Sequence, residues 1–291
     1  MNPIIKIDAV ITTFNPEMDR FKLVLDSIIN QCVKIIIVDN NSQNFENIKN
    51  ICSSYNNIEI IRNDKNYGLG RALNEGIDFL KNDLDRIDYV LTLDQDSIVQ
   101  CNLGEIVNKF HNTYDKANVG IININSTNKK VYEYSLNNYP IISGSLVNAL
   151  VFRNGLRYRE EFFMDQIDFD FDFQVRKLGW VLFSTATNCL SHQMGVKKDN
   201  NKFATEPIWR IYLISRNSFV LLREHKINIA FFLSQLVGWY VKELMNNKRK
   251  FVFITFRYML TCLVGLIDGV MNNFTEPEKN KSIELINSFR F

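Results

Sequence analysis

The sequence predicts an α/β fold built on a parallel sheet. Its first half alternates short apolar runs with helix-length amphipathic segments, and polar signatures follow directly on the ends of those runs. Of 291 residues, 46% are hydrophobic, enough for one large core or for one domain with a helical appendage, and too many for a disordered chain.

The elements follow in order along the chain. Ala9-Val10-Ile11-Thr12-Thr13-Phe14 reads as a first strand, and Pro16 to Gln31 as a helix with Phe21, Val24, Leu25 and Ile28 inward. Lys34 to Asp39 is a second strand, apolar enough to be buried on both faces. Phe45 to Tyr55 reads as helix, Ile58 to Ile61 as strand and Leu69 to Leu80 as helix, before a strand at Tyr89-Val90-Leu91-Thr92-Leu93. Asn123 to Asn138 is polar and reads as a loop with a short strand, and Trp180 to Phe183 is strand-like. Toward the end, Phe231, Phe232, Leu236, Tyr240 and Leu244 recur at helical spacing. Ile227 to Val241 is uncharged but short for a membrane span, and Phe251 to Val270 is interrupted by Arg257 and Asp268, so no clean crossing is expected. Two apolar helices flanking Asn246-Asn247-Lys248-Arg249-Lys250 suit either packing on the domain or in a dimer interface, or peripheral attachment to an anionic membrane. The expected division is 1–225 for the α/β domain and 226–291 for the helical region.

Composition narrows the function classes. Lys+Arg total 34 against Asp+Glu 32, a formal charge of +2, so recognition of nucleic acid through a broad basic surface is not expected. The five cysteines have no Cys-x-x-Cys spacing, which indicates neither a zinc site nor a disulfide framework and fits a reduced cytosol. The N-terminus lacks the apolar stretch of a secretory signal.

The chemistry-bearing residues sit where the strands end. Asp94-Gln95-Asp96 places two carboxylates at the carboxyl end of a buried strand, where open α/β sheets bind ligands. Such carboxylates can converge on one hard cation, whose charge would meet a diphosphate. Asp39-Asn40-Asn41-Ser42 ends the second strand with side chains suited to a base edge or ribose, helix capping being the alternative. Thr12-Thr13-Phe14-Asn15 supplies a matching polar edge. Asn66-Tyr67-Gly68-Leu69-Gly70-Arg71 enters a helix, where backbone could approach phosphate and Arg71 would add charge. The segment lacks the third glycine of a dinucleotide fingerprint and does not follow the first strand, so a nicotinamide site is rejected. His192 is the histidine nominated as a metal or diphosphate ligand; His111 and His225 read as surface residues. Gly144, within Ile141 to Val147, suggests a crowded backbone.

These motifs, in this order and spacing, resemble the nucleotide-sugar half of glycosyltransferase family 2 over roughly residues 8 to 225. Those that carry the likeness are Thr12 to Asn15, Val38-Asp39-Asn40, Asn66-x-Gly68-x-Gly70-x-Ala72-x-Asn74-x-Gly76 and Asp94-x-Asp96. Leu91 to Ser97, Phe163-Met164-Asp165-Gln166-Ile167-Asp168, His192-Gln193-Met194-Gly195 and Arg210-x-Tyr212-x-x-x-Arg216-Asn217 resemble its rhamnosyltransferase-like branch. The resemblance implies a GT-A fold, with Asp39 at the base, Asp94 near ribose or metal and Asp96 on the metal. It further implies Thr12, Phe14, Asn15, Asn66, Gly68, Arg71, Gln95, Arg210 and Arg216 around the nucleotide-sugar, His192 beside the metal, and Ser143 and Gly144 toward the acceptor.

An inverting transfer needs one carboxylate to take the acceptor hydroxyl's proton. The family pattern places it at Asp168, followed by Asp170 and an Arg six residues after the base, where this chain has Gln174. Alignment on Arg176 instead promotes Asp170.

The expected enzyme is cytosolic, peripheral on the inner face of the cell membrane, and dependent on Mg²⁺ or Mn²⁺. It moves a sugar from a nucleotide diphosphate to a glycan acceptor, lipid-diphosphate-linked, in surface polysaccharide (O-antigen or capsule) assembly, with no nucleic acid partner. The favoured donor is dTDP-rhamnose; UDP-galactose, UDP-glucose and UDP-galactofuranose are alternatives. A nucleotidyltransferase and a non-catalytic sugar-nucleotide-binding protein are the competing classes.

Overall fold

The computed structural model describes residues 4–114, 118–125, 134–186, 189–191, 207–246 and 251–288. The chain folds as two compact units, one formed by Met1–Glu160 with Asp168–Gln193 and the other by Glu161–Ile167 with Met194–Phe291.

The first unit is a GT-A fold, an eight-stranded mixed sheet with helices. In chain order it runs β1 (Ile7–Thr13), α1 (Met18–Ile28), β2 (Ile35–Asp39), α2 (Phe45–Cys52), β3 (Ile58–Arg62), α3 (Leu69–Phe79) and β4 (Tyr89–Asp94). There follow β5 (Ile98–Val99), α4 (Leu103–Thr113), β6 (Val119–Asn123), β7 (Tyr134–Leu136), β8 (Ser145–Asn148) and α5 (Ala149–Arg153). The unit continues with α6 (Ile167–Lys177), β9 (Val181–Thr185) and β10 (Leu190–Ser191). Sheet order is β3-β2-β1-β4-β8-β6-β9-β7, while β5 and β10 form a separate antiparallel ribbon.

β1 and β2 are buried along almost their whole length because parallel strands are covered on both faces. The chain steps outward from β1 through β2 to β3, then returns to put β4 on the other side of β1. That reversal opens a crevice at the carboxyl ends of β1 and β4. Register aligns those ends: Thr13 lies opposite Asp39, and Thr12 opposite Asp94. The main core joins Ala9, Ile11, Ile35 and Ile37 of the sheet to Phe21, Val24, Leu25 and Ile28 of α1, the residues expected to face inward. On the opposite face α3 approaches closely, since a Cβ on Gly76 would stand 2.5 Å from a Val10 methyl and 3.2 Å from Val38. The expected acidic-pair strand extends to Asp94, and β8 intrudes antiparallel to both its neighbours.

The second unit contains α7 (Ile208–Arg223), α8 (Ile229–Asn246), α9 (Phe251–Met271) and α10 (Lys281–Ser288). The second unit thus takes in all of α7. α9 lies tight on α7: a Cβ on Gly265 would stand 2.8 Å from the Tyr212 carbonyl oxygen. Asp268, which interrupts the apolar sequence, is buried and accepts from Tyr212 Oη (2.7 Å), Asn280 Nδ2 (3.0 Å) and Asn273 Nδ2 (3.0 Å). Contrary to the expectation of no clean span, Val252–Met271 is a helix long and apolar enough to cross a membrane by length and composition. Lys248, Arg249 and Lys250 lie outside the described residues.

Candidate active site

The carboxyl edge of the first unit is held open by hydrogen bonds that a strand end would otherwise leave to water. Asp39 is fully buried; its Oδ1 accepts from Thr13 Oγ1 at 2.9 Å and Ser42 Oγ at 2.5 Å, and its Oδ2 from the Ser42 amide at 2.9 Å. Ser42 Oγ in turn accepts from the Asn15 amide at 2.8 Å, and Asn15 Oδ1 from the Gln43 amide at 2.8 Å. Asn15 and Asn41 both take the left-handed backbone, at φ 49° and 63°, which short polar side chains tolerate better than most residues. Asp39 therefore organises this wall from beneath, and the polar run it begins is a folded loop rather than a helix cap.

Gln95 joins the ends of β1 and β4. Its Oε1 accepts from the Phe14 amide at 2.7 Å, and its Nε2 donates to the Phe14 carbonyl at 3.3 Å. Asp94 and Asp96 flank it and are both partly exposed. Ser143 is buried and its Oγ takes the Asp94 amide at 3.0 Å while donating to Ser97 at 2.8 Å. Gly144 adopts φ 81°, with its amide on Thr92 and its carbonyl on Ile124. In place of the acceptor contact expected of them, Ser143 and Gly144 support Asp94 from within the sheet.

Arg20, part of none of the motifs above, reaches the same edge from α1. Its Nε donates to the Asp96 carbonyl at 2.8 Å, and one terminal nitrogen donates to the Ser191 carbonyl at 2.6 Å. These partners lie 76 and 171 positions away, so no local pattern marks them.

The glycine-punctuated segment serves packing as well as the edge. Gly68 caps α3 at φ 87°, its amide on Asn66 Oδ1 (2.9 Å) and its carbonyl on Asn40 Nδ2 (3.2 Å). A Cβ on Gly70 would meet the Arg159 carbonyl oxygen at 2.5 Å. Arg71 stacks on Tyr67 at 3.7 Å and pairs with Glu75 at 3.0 Å. Asn74 donates to the Tyr158 carbonyl and accepts from its amide, both at 2.9 Å.

The acidic run forms α6. Asp168 is partly exposed, whereas Asp170 and Asp172 are buried. Asp170 accepts from Gln174 Nε2 at 2.5 Å and meets Arg159 at 3.4 Å. Gln174, standing where the family pattern has Arg, thus supports the buried Asp170.

Arg210 and Arg216 belong to the second unit. Arg210 forms a two-pronged pair with Asp165, at 2.5 and 3.1 Å. In place of the phosphate contact expected of it, Arg216 is fully buried and donates to the carbonyls of Phe162 (3.2 Å) and Thr275 (3.2 Å). Asn217 adds bonds to the carbonyls of Phe162, Met164 and Asp165 at 3.2, 2.9 and 3.0 Å. Together they hold a turn in which Phe163, Asp165 and Gln166 all have φ between 60° and 65°, a strained conformation for side chains of this size.

His192 lies outside the described residues. His111, expected at the surface, packs edge-on to Phe110 at 5.8 Å and bonds to Tyr89 Oη at 3.0 Å; His225 is exposed. Among the described residues no three His, Cys, Asp or Glu side chains group to hold a metal ion.

Comparison with known proteins bears on this edge. The family model described as Glycosyl transferase family 2 matches residues 8–179, a span that includes the motifs at Asp39, Asn66 to Gly76, Asp94 to Asp96 and Asp168. The chain is 24% identical over 295 residues to the dTDP-rhamnosyl transferase RfbF of Shigella flexneri, covering 91% of this chain and 95% of that protein. Among solved structures, a mycobacterial protein is 13% identical with TM-score 0.48, covering 77% of this chain and 76% of its own. A 4-diphosphocytidyl-2C-methyl-D-erythritol synthase of Anaerococcus prevotii is 14% identical with TM-score 0.38, covering 64% and 89%. The chain belongs to glycosyl transferase family 2 and is a glycosyltransferase.

Proposed function

We propose that this glycosyltransferase moves L-rhamnose from dTDP-rhamnose, with inversion, to a lipid-diphosphate-linked glycan in surface polysaccharide assembly. The observation behind the donor is the match to the dTDP-rhamnosyl transferase RfbF along nearly the full length of both chains. Asp39, Asn15 and Ser42 shape the wall for the nucleoside, while Asp94 and Asp96 face the diphosphate.

Asp168 is the general base. It is partly exposed, whereas Asp170 is buried against Gln174 and Arg159. As the acceptor oxygen attacks the anomeric carbon, Asp168 takes its proton; the new glycosidic bond forms while the bond from that carbon to the diphosphate oxygen breaks. The leaving group departs as the nucleoside diphosphate, on the face opposite the incoming oxygen.

Asp94 and Asp96 fit a divalent cation of the Mg²⁺ or Mn²⁺ type. They offer two hard oxygen ligands at one strand end, the number needed when phosphate oxygens and water complete the shell. Bound there, the ion would neutralise the charge developing on the departing diphosphate.

A screen of dTDP-rhamnose, UDP-galactose, UDP-glucose and UDP-galactofuranose with a lipid-linked acceptor, reading the nucleoside diphosphate released, tests the donor. Release of dTDP is expected; turnover confined to a UDP-sugar would replace the rhamnose reading. A nucleotidyltransferase is disfavoured because Thr13-Phe14-Asn15-Pro16, after the first strand, is not a glycine-rich phosphate loop.

The second unit is read as the membrane-facing part. Ile229, Leu233, Val237, Val241 and Met245 recur every fourth residue along α8 and are all exposed, as are Val252, Phe256, Met259 and Leu263 on α9. The sequence between the two helices is basic, and each basic residue near an anionic surface contributes on the order of 1 kcal/mol. Flotation with anionic vesicles should show binding that weakens with salt and on changing Lys248, Arg249 and Lys250 to Gln. A stable dimer with no vesicle binding at low salt would assign these faces to self-association instead.

A further inference from the structure

The acidic turn after β4 leads into β5, which stands outside the main sheet and forms a ribbon with β10: Ile98 lies opposite Ser191, and Val99 opposite Leu190. So short a ribbon satisfies few of its own backbone groups, and the rest need partners. The α1 segment supplies them. Ser27 Oγ accepts from the Val99 amide at 3.1 Å. Gln31, just past the helix end, donates to the Cys101 carbonyl at 3.1 Å and accepts from the Leu103 amide at 2.8 Å. Arg20, seven residues before Ser27 and so on the same side of α1, extends this seam back to the acidic turn.

Arg20 is partly buried, and its bonds all end on neutral oxygens. Nε donates to the Asp96 carbonyl at 2.8 Å, and Nη2 to the Ser191 carbonyl at 2.6 Å and the Ser191 hydroxyl at 3.4 Å. Nε–H and one N–H of Nη2 point in parallel from one edge of a rigid guanidinium, so the two carbonyls are held side by side. The residue stands in the first turn of α1, where the helix dipole disfavours a cation. Its place therefore follows from what it reaches, not from the helix that carries it. Within the turn, the Asp94 amide is held by Ser143 Oγ at 3.0 Å, and Gln95 is bound to the Phe14 backbone. Arg20 adds the hold on residue 96.

We propose that Arg20 is a positioning residue: by clasping the main chain of Asp96 to Ser191 of β10, it sets where the Asp96 carboxylate stands for the cation and the diphosphate. The inference rests on the reading of Asp96 as a cation ligand. Arg20 meets Asp96 through the main-chain carbonyl, so its removal leaves both carboxylates of the turn present and disturbs the placement of one.

The test uses Arg20→Ala, Arg20→Lys and Asp96→Ala in the full-length protein. It reads kcat, Mn²⁺ binding with dTDP present by electron paramagnetic resonance, and dTDP binding in chelator. Alanine at 20 should weaken Mn²⁺ binding and lower kcat, each by about 10- to 100-fold, the usual loss when a group supporting a metal ligand is removed. Binding of dTDP in chelator, set by the nucleoside wall, should be little changed. Lysine keeps the charge but offers one nitrogen where the clasp needs two, so it should fall nearer to alanine than to wild type. Should the alanine variant fail to fold, the lysine variant carries the same test. Wild-type Mn²⁺ affinity and kcat in either variant, with Asp96→Ala inactive, would overturn the proposal and leave the Asp96 reading standing. A loss of dTDP binding in chelator equal to the loss of Mn²⁺ binding would show general disturbance of the site and overturn it too. Wild-type Mn²⁺ binding by Asp96→Ala would remove the Asp96 reading and the inference with it.

Discussion

Asp94-x-Asp96 and Asp168-x-Asp170 share one spacing and have different environments. β4 ends at Asp94 and the chain turns there; Asp94 and Asp96 are both partly exposed, and the intervening Gln95 is turned onto the Phe14 backbone. On a helix, residues two apart are about 200° apart while residues four apart nearly coincide. Asp168 is accordingly partly exposed, Asp170 is buried against Gln174 and Arg159, and Asp172 returns to the side of Asp168. A two-residue acidic spacing thus leaves both carboxylates partly exposed where a strand ends in a turn, whereas on a helix it separates a partly exposed group from a buried one.

The largest effect should come from the strand pair. Asp96→Ala should abolish turnover, and chelation of wild-type protein should do the same, reversed by Mg²⁺ or Mn²⁺. Full activity of demonstrably metal-free protein would break the strand half of the comparison.

Next comes the helix. Asp168→Asn should lower kcat by about 10²- to 10⁴-fold with donor affinity retained. Asp170→Asn should instead leave turnover within a few-fold and lower stability by about 1 to 3 kcal/mol, since it breaks a buried, bonded group. If chemical denaturation and kinetics show the opposite assignment, the helix presents Asp170 and not Asp168 to the acceptor.

Asp8 provides a smaller, third setting for the same side chain, away from the site at the start of β1. It is 1% exposed, and burial raises its carboxyl to about 6. Below about pH 3 the group is protonated in folded and unfolded chains alike and costs nothing. As pH rises to about 6 the unfolded chain releases its proton first, so the cost grows and then levels off at about 3 kcal/mol. Asp8→Asn should therefore stabilise the protein at pH 7 and barely change it at pH 4. Equal effects at both values, measured by denaturant titration, would mean that burial alone does not govern these carboxyls.

The sequence displayed the left half of the sheet well, because β1, β2 and β4 are unbroken apolar runs and α1 has a regular inward stripe. It concealed β8, a four-residue strand whose antiparallel placement no local signal dictates. The sequence placed Asp39 and Asp94 at strand ends with Asp96 just beyond, where the structure has them, but it did not show that Asp39 would be buried. Gly70 and Gly76 looked like an approach to phosphate and are also close contacts with Arg159 and Val10; a glycine records that something comes near, not what. Arg216 looked like a phosphate ligand because arginine on a helix carries no mark of burial.

The turn held by Arg216 and Asn217 also has a consequence in time. Met164 and Asn217 are 53 positions apart, so on the ribosome the left-handed run at 163–166 is made before the side chain that will clasp it. At about 5–20 residues per second, several seconds pass between the two. A nascent chain halted within that interval has residues 163–166 without the bonds that hold Phe163, Asp165 and Gln166 at positive φ, so the segment relaxes from that turn, and a protease supplied to stalled chains should cut there until α7 has emerged.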